Sequence, residues 1–262
     1  MSLPFLLWAS GAFLCAVVLL SASIFDLRNR EIPDKVWLIP APISALLTAV
    51  RLLLKPELAI SVAISICLSA LIGIAIYFSG LMGGADAKAI VFISISVPTY
   101  EQAPILALHP FVPLATFSNA LLATIAVPFL MLARNLAWKI KTGRRLFEGL
   151  EASRLSKMLA PLVGYKVRAE ELGEARFLFP MEDVVDEGGA VKRRLVLTVR
   201  VGQEEELSER VLEAVRKGLI SDYVWVSPGL PLLIFMALGY LLALALGDLV
   251  FYTIFAILST LL

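Results

Sequence analysis

The sequence predicts an all-α polytopic membrane protein of about six transmembrane helices with a small cytosolic α+β insert. Of its 262 residues, 59% are hydrophobic and only 17% are charged, whereas about a quarter of the residues in an ordinary soluble domain are charged. The mean hydropathy is +0.86, and residues 1–25 carry no charged side chain. Uncharged runs of about 20 residues, long enough to span a bilayer, recur along the chain.

The first uncharged run, residues 5–25, predicts a membrane span. A cleaved signal peptide is the alternative, with residues 21–23 as its small-residue cleavage site. However, no Lys or Arg precedes the run, and its apolar core is too long for a signal peptide. After a polar loop, residues 36–54 and 58–80 predict the second and third spans.

A fourth apolar segment, residues 87–98, is shorter than the about 20 residues of a full span. Since lipid cannot satisfy the backbone groups beside so short a helix, we expect protein to shield it or a wet cavity to border it. Residues 111–133 predict the fifth span. Residues 229–262 contain the sixth, which only Asp248 interrupts.

These spans divide the chain into residues 1–133 with the first five spans, a polar insert at 134–226, and residues 227–262 with the last span. Within the insert, alternating apolar residues predict a strand over Leu195–Val201. Leucine and valine at helical spacing predict a helix over Glu204–Lys217. We therefore expect the insert to be a small α+β unit.

The distribution of basic residues predicts the orientation of the chain in the membrane. If the amino terminus lies outside, every one of the 23 Lys and Arg residues except Arg51 and Lys55 falls in a cytoplasmic segment. The opposite orientation would place nearly all of them outside. We therefore expect a multi-pass protein of the cell membrane with its amino terminus outside and its insert in the cytoplasm.

Two acids stand out against this apolar background. Asp86 follows Gly83 and Gly84, which allow the backbone to leave a helical path or to approach another helix closely. An ionisable residue beside apolar spans is costly to place and is a candidate for function. The predicted topology brings Asp26, at the inner end of the first span, to the same face of the membrane. The alternatives are that Asp26 pairs with a nearby Arg in water and that Asp86 only caps a helix.

Two close carboxylates share a proton and titrate as a pair. The ionised member can take a proton from water while the protonated member donates to a carbonyl oxygen, which is peptide hydrolysis without a covalent intermediate or a metal. The single histidine, His109, lies on the outer side in this topology, and the two cysteines form no metal-binding spacing. We therefore expect neither a metal nor a cofactor. Lys88 either pairs with Asp86 or contacts a lipid phosphate.

Residues 25–33 and 83–88 together resemble the prepilin peptidase family of intramembrane aspartyl proteases. They are most similar to its archaeal branch, the preflagellin and type IV prepilin peptidases. The resemblance implies that Asp26 and Asp86 are the catalytic residues. Asp86 matches the aspartate of the family's Gly-x-Gly-Asp motif, in which Ala85 replaces the second glycine.

The resemblance also implies the substrate: a membrane-inserted precursor with a short basic leader of the class III type, cut on the cytoplasmic side. Gly83, Gly84 and Lys88 are then expected to support the substrate or the active site. Bacterial relatives carry a cysteine cluster and also methylate the new amino terminus, and because this chain has no such cluster we expect cleavage only. The lipid bilayer is the other expected partner, and a formal net charge of +1 argues against nucleic acid.

Two other functions are compatible with the same residues. In an ion-coupled transporter or a proton channel, Asp26 and Asp86 would relay ions, although the sequence lacks the internal repeat that many transporters have. In a structural membrane subunit, the acids would only cap helices. If the chain is a protease, we expect substrate entry or helix movement to bring the two aspartates together.

Overall fold

A computed structural model describes residues 2–79, 83–174, 177–187, 190–197 and 204–261. Contacts between residues divide the chain into two units. The first contains residues 1–124 and 231–262, and the second contains residues 125–230. The helices are α1 (Leu3–Asn29), α2 (Lys35–Leu38), α3 (Pro40–Leu54), α4 (Ala59–Ser79), α5 (Gly84–Ser96), α6 (Val112–Thr124), α7 (Ala126–Thr142), α8 (Arg154–Val163), α9 (Ala169–Glu174), α10 (Glu204–Arg216), α11 (Leu232–Ala245) and α12 (Leu249–Leu261). The strands are β1 (Leu150–Glu151), β2 (Tyr165–Arg168), β3 (Leu178–Pro180), β4 (Glu182–Glu187), β5 (Ala190–Leu195) and β6 (Tyr223–Pro228).

The predicted class of a helical membrane protein with a small sheet-containing region is confirmed. Within the described residues, four helical stretches are long and apolar enough to cross a membrane: Leu3–Asn29, Lys35–Leu54, Pro56–Phe78 and Val112–Thr142. These match the first, second, third and fifth predicted spans. Helix α1 alone has 27 residues, which corresponds to about 40 Å of helix.

The predicted fourth segment is α5, a short helix packed against α1, α3, α4, α6 and α11. Eight of its 13 residues are buried, so the expected shielding by protein is confirmed. Its length is only about 20 Å, against about 30 Å for the hydrocarbon core. Side chains from three neighbouring helices satisfy carbonyls at and after its C-terminal end. Thr48 donates to Ile95 O (2.8 Å), Ser65 to Pro98 O (2.7 Å) and the indole of Trp8 to Thr99 O (3.0 Å).

The prediction of a single sixth span is wrong, because α11 and α12 are separate helices. Gly247, between them, has a φ of +104°, a backbone conformation that residues other than glycine rarely adopt. Asp248 then begins α12, since its Oδ1 accepts hydrogen bonds from the amides of Val250 (3.1 Å) and Phe251 (3.0 Å). Its Oδ2 contacts His109 Nε2 at 3.1 Å, so the histidine belongs to this junction.

The second unit contains two three-stranded sheets. In one, β5 lies between β1 and β4, and in the other β6 lies between β2 and β3. Helix α10 confirms the predicted helix, with Leu207 and Val211 buried. Of the predicted strand at Leu195–Val201, the structure describes the first three residues: Leu195 is the last residue of β5, and Val196 and Leu197 lie outside any strand. Residues 198–201 lie outside the described part of the chain.

The sequence pattern did not predict β5, and the reason is physical. β5 turns a charged residue, Arg193, into the protein, where its guanidinium pairs with the fully buried carboxylate of Glu182 on β4. A search for alternating apolar residues cannot find a strand whose buried position carries an arginine. The following apolar residues therefore gave a stronger strand signal than the strand itself.

Lys166 of β2 gives a prediction of pH-dependent stability. Burial lowers the pKa of its ammonium group from 10.5 to about 8, although the carboxylate of Glu182 acts in the opposite direction. Below the lowered pKa the folded state therefore carries a charge that it disfavours. Between about pH 8 and pH 10.5 the unfolded state binds more protons, so stability rises with pH over that window.

We expect Lys166→Met to stabilise the second unit at neutral pH by up to about 3 kcal/mol, since one pKa unit corresponds to about 1.4 kcal/mol. The gain should shrink as the pH rises toward the ordinary lysine pKa. Thermal unfolding of wild type and variant in detergent across this pH range measures the difference. A difference that stays constant with pH would contradict the assignment.

Candidate active site

Asp26 lies in the last turn of α1 and is only 8% exposed. Its Oδ2 accepts a long hydrogen bond of 3.4 Å from the amide of Leu233, at the beginning of α11. Its Oδ1 lies 3.6 Å from Nη1 of Arg30. The hydroxyl of Ser23 donates to the carbonyl of Leu233 at 3.0 Å and so ties the same two helices together.

Asp86 lies in the first turn of α5 and is also 8% exposed. Its Oδ2 accepts a 2.9 Å hydrogen bond from the amide of Gly83, the residue that caps the helix. The other oxygen, Oδ1, makes no hydrogen bond within the described part of the chain. It is therefore available for a water molecule or a substrate carbonyl.

The two aspartates share one arrangement: each carboxylate lies at the N-terminal end of a helix. Asp26 is beside the first residues of α11, and Asp86 is in the first turn of α5. The positive end of the helix dipole favours a negative charge at such a position. The helices that carry them, α1 and α5, pack against each other. No direct hydrogen bond joins the two carboxylates among the described residues.

Gly83 and Gly84 have ordinary surroundings. A Cβ at Gly83 would lie 3.5 Å from Asp86 Oδ2, and one at Gly84 would lie 3.9 Å from the ring of Tyr77. Both are normal van der Waals distances, and Gly83 has a φ of −73°. The expected close approach of another helix does not occur here. It occurs at Gly11 and Gly239, where a Cβ would lie 2.8 Å from Ser96 O and 2.4 Å from Thr116 O respectively.

These distances predict that two alanine substitutions change the stability of the protein to different extents. Gly239→Ala forces a methyl group against the backbone of α6, and we expect it to destabilise the protein by about 1–3 kcal/mol. Gly84→Ala fills open space at a helix N-terminus and should leave stability within about 0.5 kcal/mol of wild type. Thermal unfolding of both variants in the same detergent measures the difference. Equal stability of the two would contradict the close packing at Gly239.

Among the described residues, Lys88 does not pair with Asp86, which was one of the two alternatives for this side chain. The ammonium group of Lys88 forms an ion pair with Asp34 instead, and both side chains are at least half exposed. Lys88 and Gly84 line a cavity of about 540 Å³ between α3, α4 and α5. Asp86 is not among its lining residues, so Lys88 lies on a different face of α5 from the carboxylate.

Sequence reasoning did not find two contacts of this site. The first is the amide of Leu233, because nothing in the sequence indicates that the start of α11 lies beside the end of α1. The second is Ser23, one of several serines in apolar helices. One alternative for Asp26 was an ion pair with a nearby Arg in water, and the i, i+4 spacing is the signal for the pair with Arg30. The structure places Arg30 beside a carboxylate that is buried.

Within the described residues, no three His, Cys, Asp or Glu side chains form a metal-binding group.

The fold and the site together define a polytopic helical membrane protein with two buried carboxylates on neighbouring helices. Two family descriptions match the sequence over most of its length. Residues 13–132 match the type IV leader peptidase family, peptidase A24. Residues 156–249 match the archaeal peptidase A24 C-terminus, type II. The chain belongs to the A24 family of type IV leader peptidases, and it is a protease of that family.

Individual relatives agree with this assignment. The preflagellin peptidase of Methanococcus voltae is 27% identical to this chain, over 88% of this chain and 92% of its own length. The preflagellin peptidase of Methanocaldococcus jannaschii is 23% identical, over 89% of this chain and 92% of its own length. A third, from Methanococcus maripaludis, is 25% identical, over 89% and 93%. These comparisons confirm the peptidase interpretation, and none of them supports a transporter, a channel or a structural subunit.

Proposed function

We propose that this protein is an intramembrane aspartyl endopeptidase in which Asp26 and Asp86 activate the attacking water. Its substrates are flagellin-like or type IV prepilin-like precursors, from which it removes the short basic leader. The observation that carries the proposal is the pair of buried carboxylates, each at a helix N-terminus and each held by one backbone amide. The names of the relatives support the choice of substrate.

The proposed reaction uses the two carboxyl groups in complementary protonation states. The ionised one takes a proton from water, and the water oxygen bonds to the carbonyl carbon of the scissile peptide. The protonated one donates its proton to the carbonyl oxygen, which gives a neutral tetrahedral diol. The newly protonated carboxyl group then gives a proton to the peptide nitrogen while the other carboxylate takes a proton from one hydroxyl of the diol; the C–N bond breaks, and the leader leaves with a new carboxyl terminus.

We further propose that the soluble unit and both aspartates are on the cytoplasmic side and that the amino terminus is outside. The distribution of Lys and Arg supports this orientation, since only Arg51 and Lys55 would then be outside. The basic leader of a precursor would lie on the same side. A cysteine-accessibility measurement at Ser2 and Glu209 in intact cells tests the orientation, and labelling of Glu209→Cys from outside would overturn it.

The test of the function is cleavage of a prepilin-like precursor by the purified protein. The precursor carries a short basic leader followed by an apolar helix, and mass spectrometry measures the product and its new amino terminus. We expect loss of the leader from this precursor and much less from a matched one whose leader lysines are replaced by glutamate. Absence of cleavage with several such precursors would overturn the proposed substrate.

Helix movement is part of the proposed mechanism. Because no direct hydrogen bond joins the carboxylates among the described residues, we expect α1 and α5 to move closer when substrate binds. A crosslink that holds the two helices at their present separation should therefore slow cleavage, whereas reduction of the crosslink should restore it. Full activity of the crosslinked protein would contradict the movement.

A further inference from the structure

Helix α8 of the second unit carries an apolar face that none of the described residues of that unit covers. Leu155 is 65% exposed and Met158 is 72% exposed, and Leu159 and Val163 are also exposed. At 3.6 residues per turn these four side chains lie on one side of the helix. On the other side, Ala160 and Pro161 are buried. A helix with one packed face and one exposed apolar face requires a partner for the exposed face.

The position of α8 is fixed by α7. Asn135 of α7 is fully buried, and its side-chain amide donates to the carbonyls of Pro161 (3.2 Å) and Gly164 (2.7 Å) at the C-terminal end of α8. α7 is the C-terminal part of the candidate membrane span Val112–Thr142. On α7, Ile140 is 84% exposed, so apolar surface continues to the last turn of that span. The exposed face of α8 is therefore held beside the end of a membrane helix.

The stretch of chain that leads into α8 and includes its first turn is rich in basic residues. The stretch from Lys139 to Lys157 contains six Lys and Arg residues and two acids, Glu148 and Glu151. Two of the basic residues, Arg154 and Lys157, are on α8 itself and are exposed. Long basic side chains can reach lipid headgroups while a neighbouring apolar face enters the acyl region.

We propose that α8 is an interfacial membrane helix. Its face of Leu155, Met158, Leu159 and Val163 is buried in the bilayer. The basic residues of the stretch from Lys139 to Lys157 bind anionic lipid headgroups. Because the stretch is basic and continues a candidate membrane span, a lipid surface is the partner that fits the exposed face of α8. α8 thereby attaches the second unit to the surface of the bilayer. This inference does not depend on the proposed peptidase mechanism.

The experiment measures the depth of single fluorescent labels in the full-length protein reconstituted in vesicles. Cys15 and Cys67 are first replaced by alanine, and a cysteine is then introduced at Leu155, at Met158 or at Glu209. Glu209, an exposed residue of α10, is the control in water. Nitroxide-labelled lipid quenches labels in the acyl region, and iodide quenches labels in water. Circular dichroism and size-exclusion chromatography of each labelled variant in detergent show that it is folded.

We expect nitroxide lipid to quench the labels at Leu155 and Met158 several-fold more than the label at Glu209, and iodide to show the reverse order. Equal iodide quenching at all three sites would overturn the proposal, because α8 would then face water. Protection of the α8 labels from both quenchers would also overturn it, since a second protein copy would then cover the face.

A second comparison tests the charge component. Lipid quenching at Met158 is measured in phosphatidylcholine vesicles with and without phosphatidylglycerol, for the wild-type basic residues and for Arg154→Gln/Lys157→Gln. Phosphatidylglycerol should increase quenching in the first protein, and the increase should be at least halved in the second. Identical quenching in both kinds of vesicle would overturn the assignment to anionic lipid.

Discussion

Replacing Asp86 by asparagine is expected to abolish leader cleavage, and replacing Asp26 by asparagine is expected to do the same. Asparagine can neither take a proton from water nor give one to the peptide carbonyl. A positioned proton-transfer group contributes about 10²–10⁴-fold to a rate, so each variant should lose about 10³-fold or more in kcat/KM. The fold should persist, because the amide oxygen of asparagine can still accept the hydrogen bonds from Gly83 and Leu233.

The double variant makes this prediction sharper. Because groups that act as one unit are not additive, Asp26→Asn/Asp86→Asn should be no slower than either single variant. Glu57→Gln is the control, since Glu57 is an exposed acid of the same unit in the short turn before α4. Cleavage of the precursor is measured under single-turnover conditions, with circular dichroism to verify folding. More than about a tenth of wild-type activity in either single variant would exclude the dyad mechanism.

The sequence predicts the long helices and the pairing of the two aspartates because both depend on simple physical requirements. A span needs about 20 apolar residues, and any run of that length is visible in the sequence. Since consecutive spans alternate in direction, the sequence predicts that Asp26 and Asp86 fall on the same side of the membrane. No knowledge of side-chain packing is needed for either step. In the structure, α1 and α5 pack against each other.

Other features depend on packing and could not be predicted. The break between α11 and α12 occurs inside one apolar run that only Asp248 interrupts, so that Gly247 and Asp248 are its only local signals in the sequence. The glycines of the motif are not those at the closest contacts, because the distance between helices is a property of both partners. Gly11 and Gly239 resemble any other glycine of an apolar helix until the neighbouring helix is known.

The second unit gives the other prediction with a large expected effect, a loss of stability on mutation of a buried ion pair. The carboxylate of Glu182 is fully buried and accepts hydrogen bonds from the guanidinium of Arg193 and from the amide of Trp225 (2.8 Å). The guanidinium also donates to the carbonyl of Tyr223 at 3.1 Å. One ion pair therefore connects β4 and β5 of the first sheet with β6 of the second.

We expect Glu182→Leu to destabilise the second unit by about 3–5 kcal/mol, because it leaves the charge of Arg193 buried without a partner. Arg193→Met should have a similar effect by leaving the carboxylate unpaired. The double variant should be more stable than either single variant, since an apolar pair of similar volume avoids the cost of burying charge. Thermal unfolding monitored by tryptophan fluorescence measures the difference, and one of the chain's four tryptophans, Trp225, lies in this region.

An exposed ion pair provides the matched control. Glu213 and Lys217 of α10 and its following turn pair at i, i+4 with more than half of each side chain exposed, and Glu213→Leu should change the melting temperature very little. If the Glu182 and Arg193 single variants were as stable as this control, the buried pair would not hold the two sheets together. If the double variant lost the sum of the two single effects, the two residues would stabilise the unit independently. The expected result, a double variant less destabilised than either single one, identifies the two charges as a single structural element.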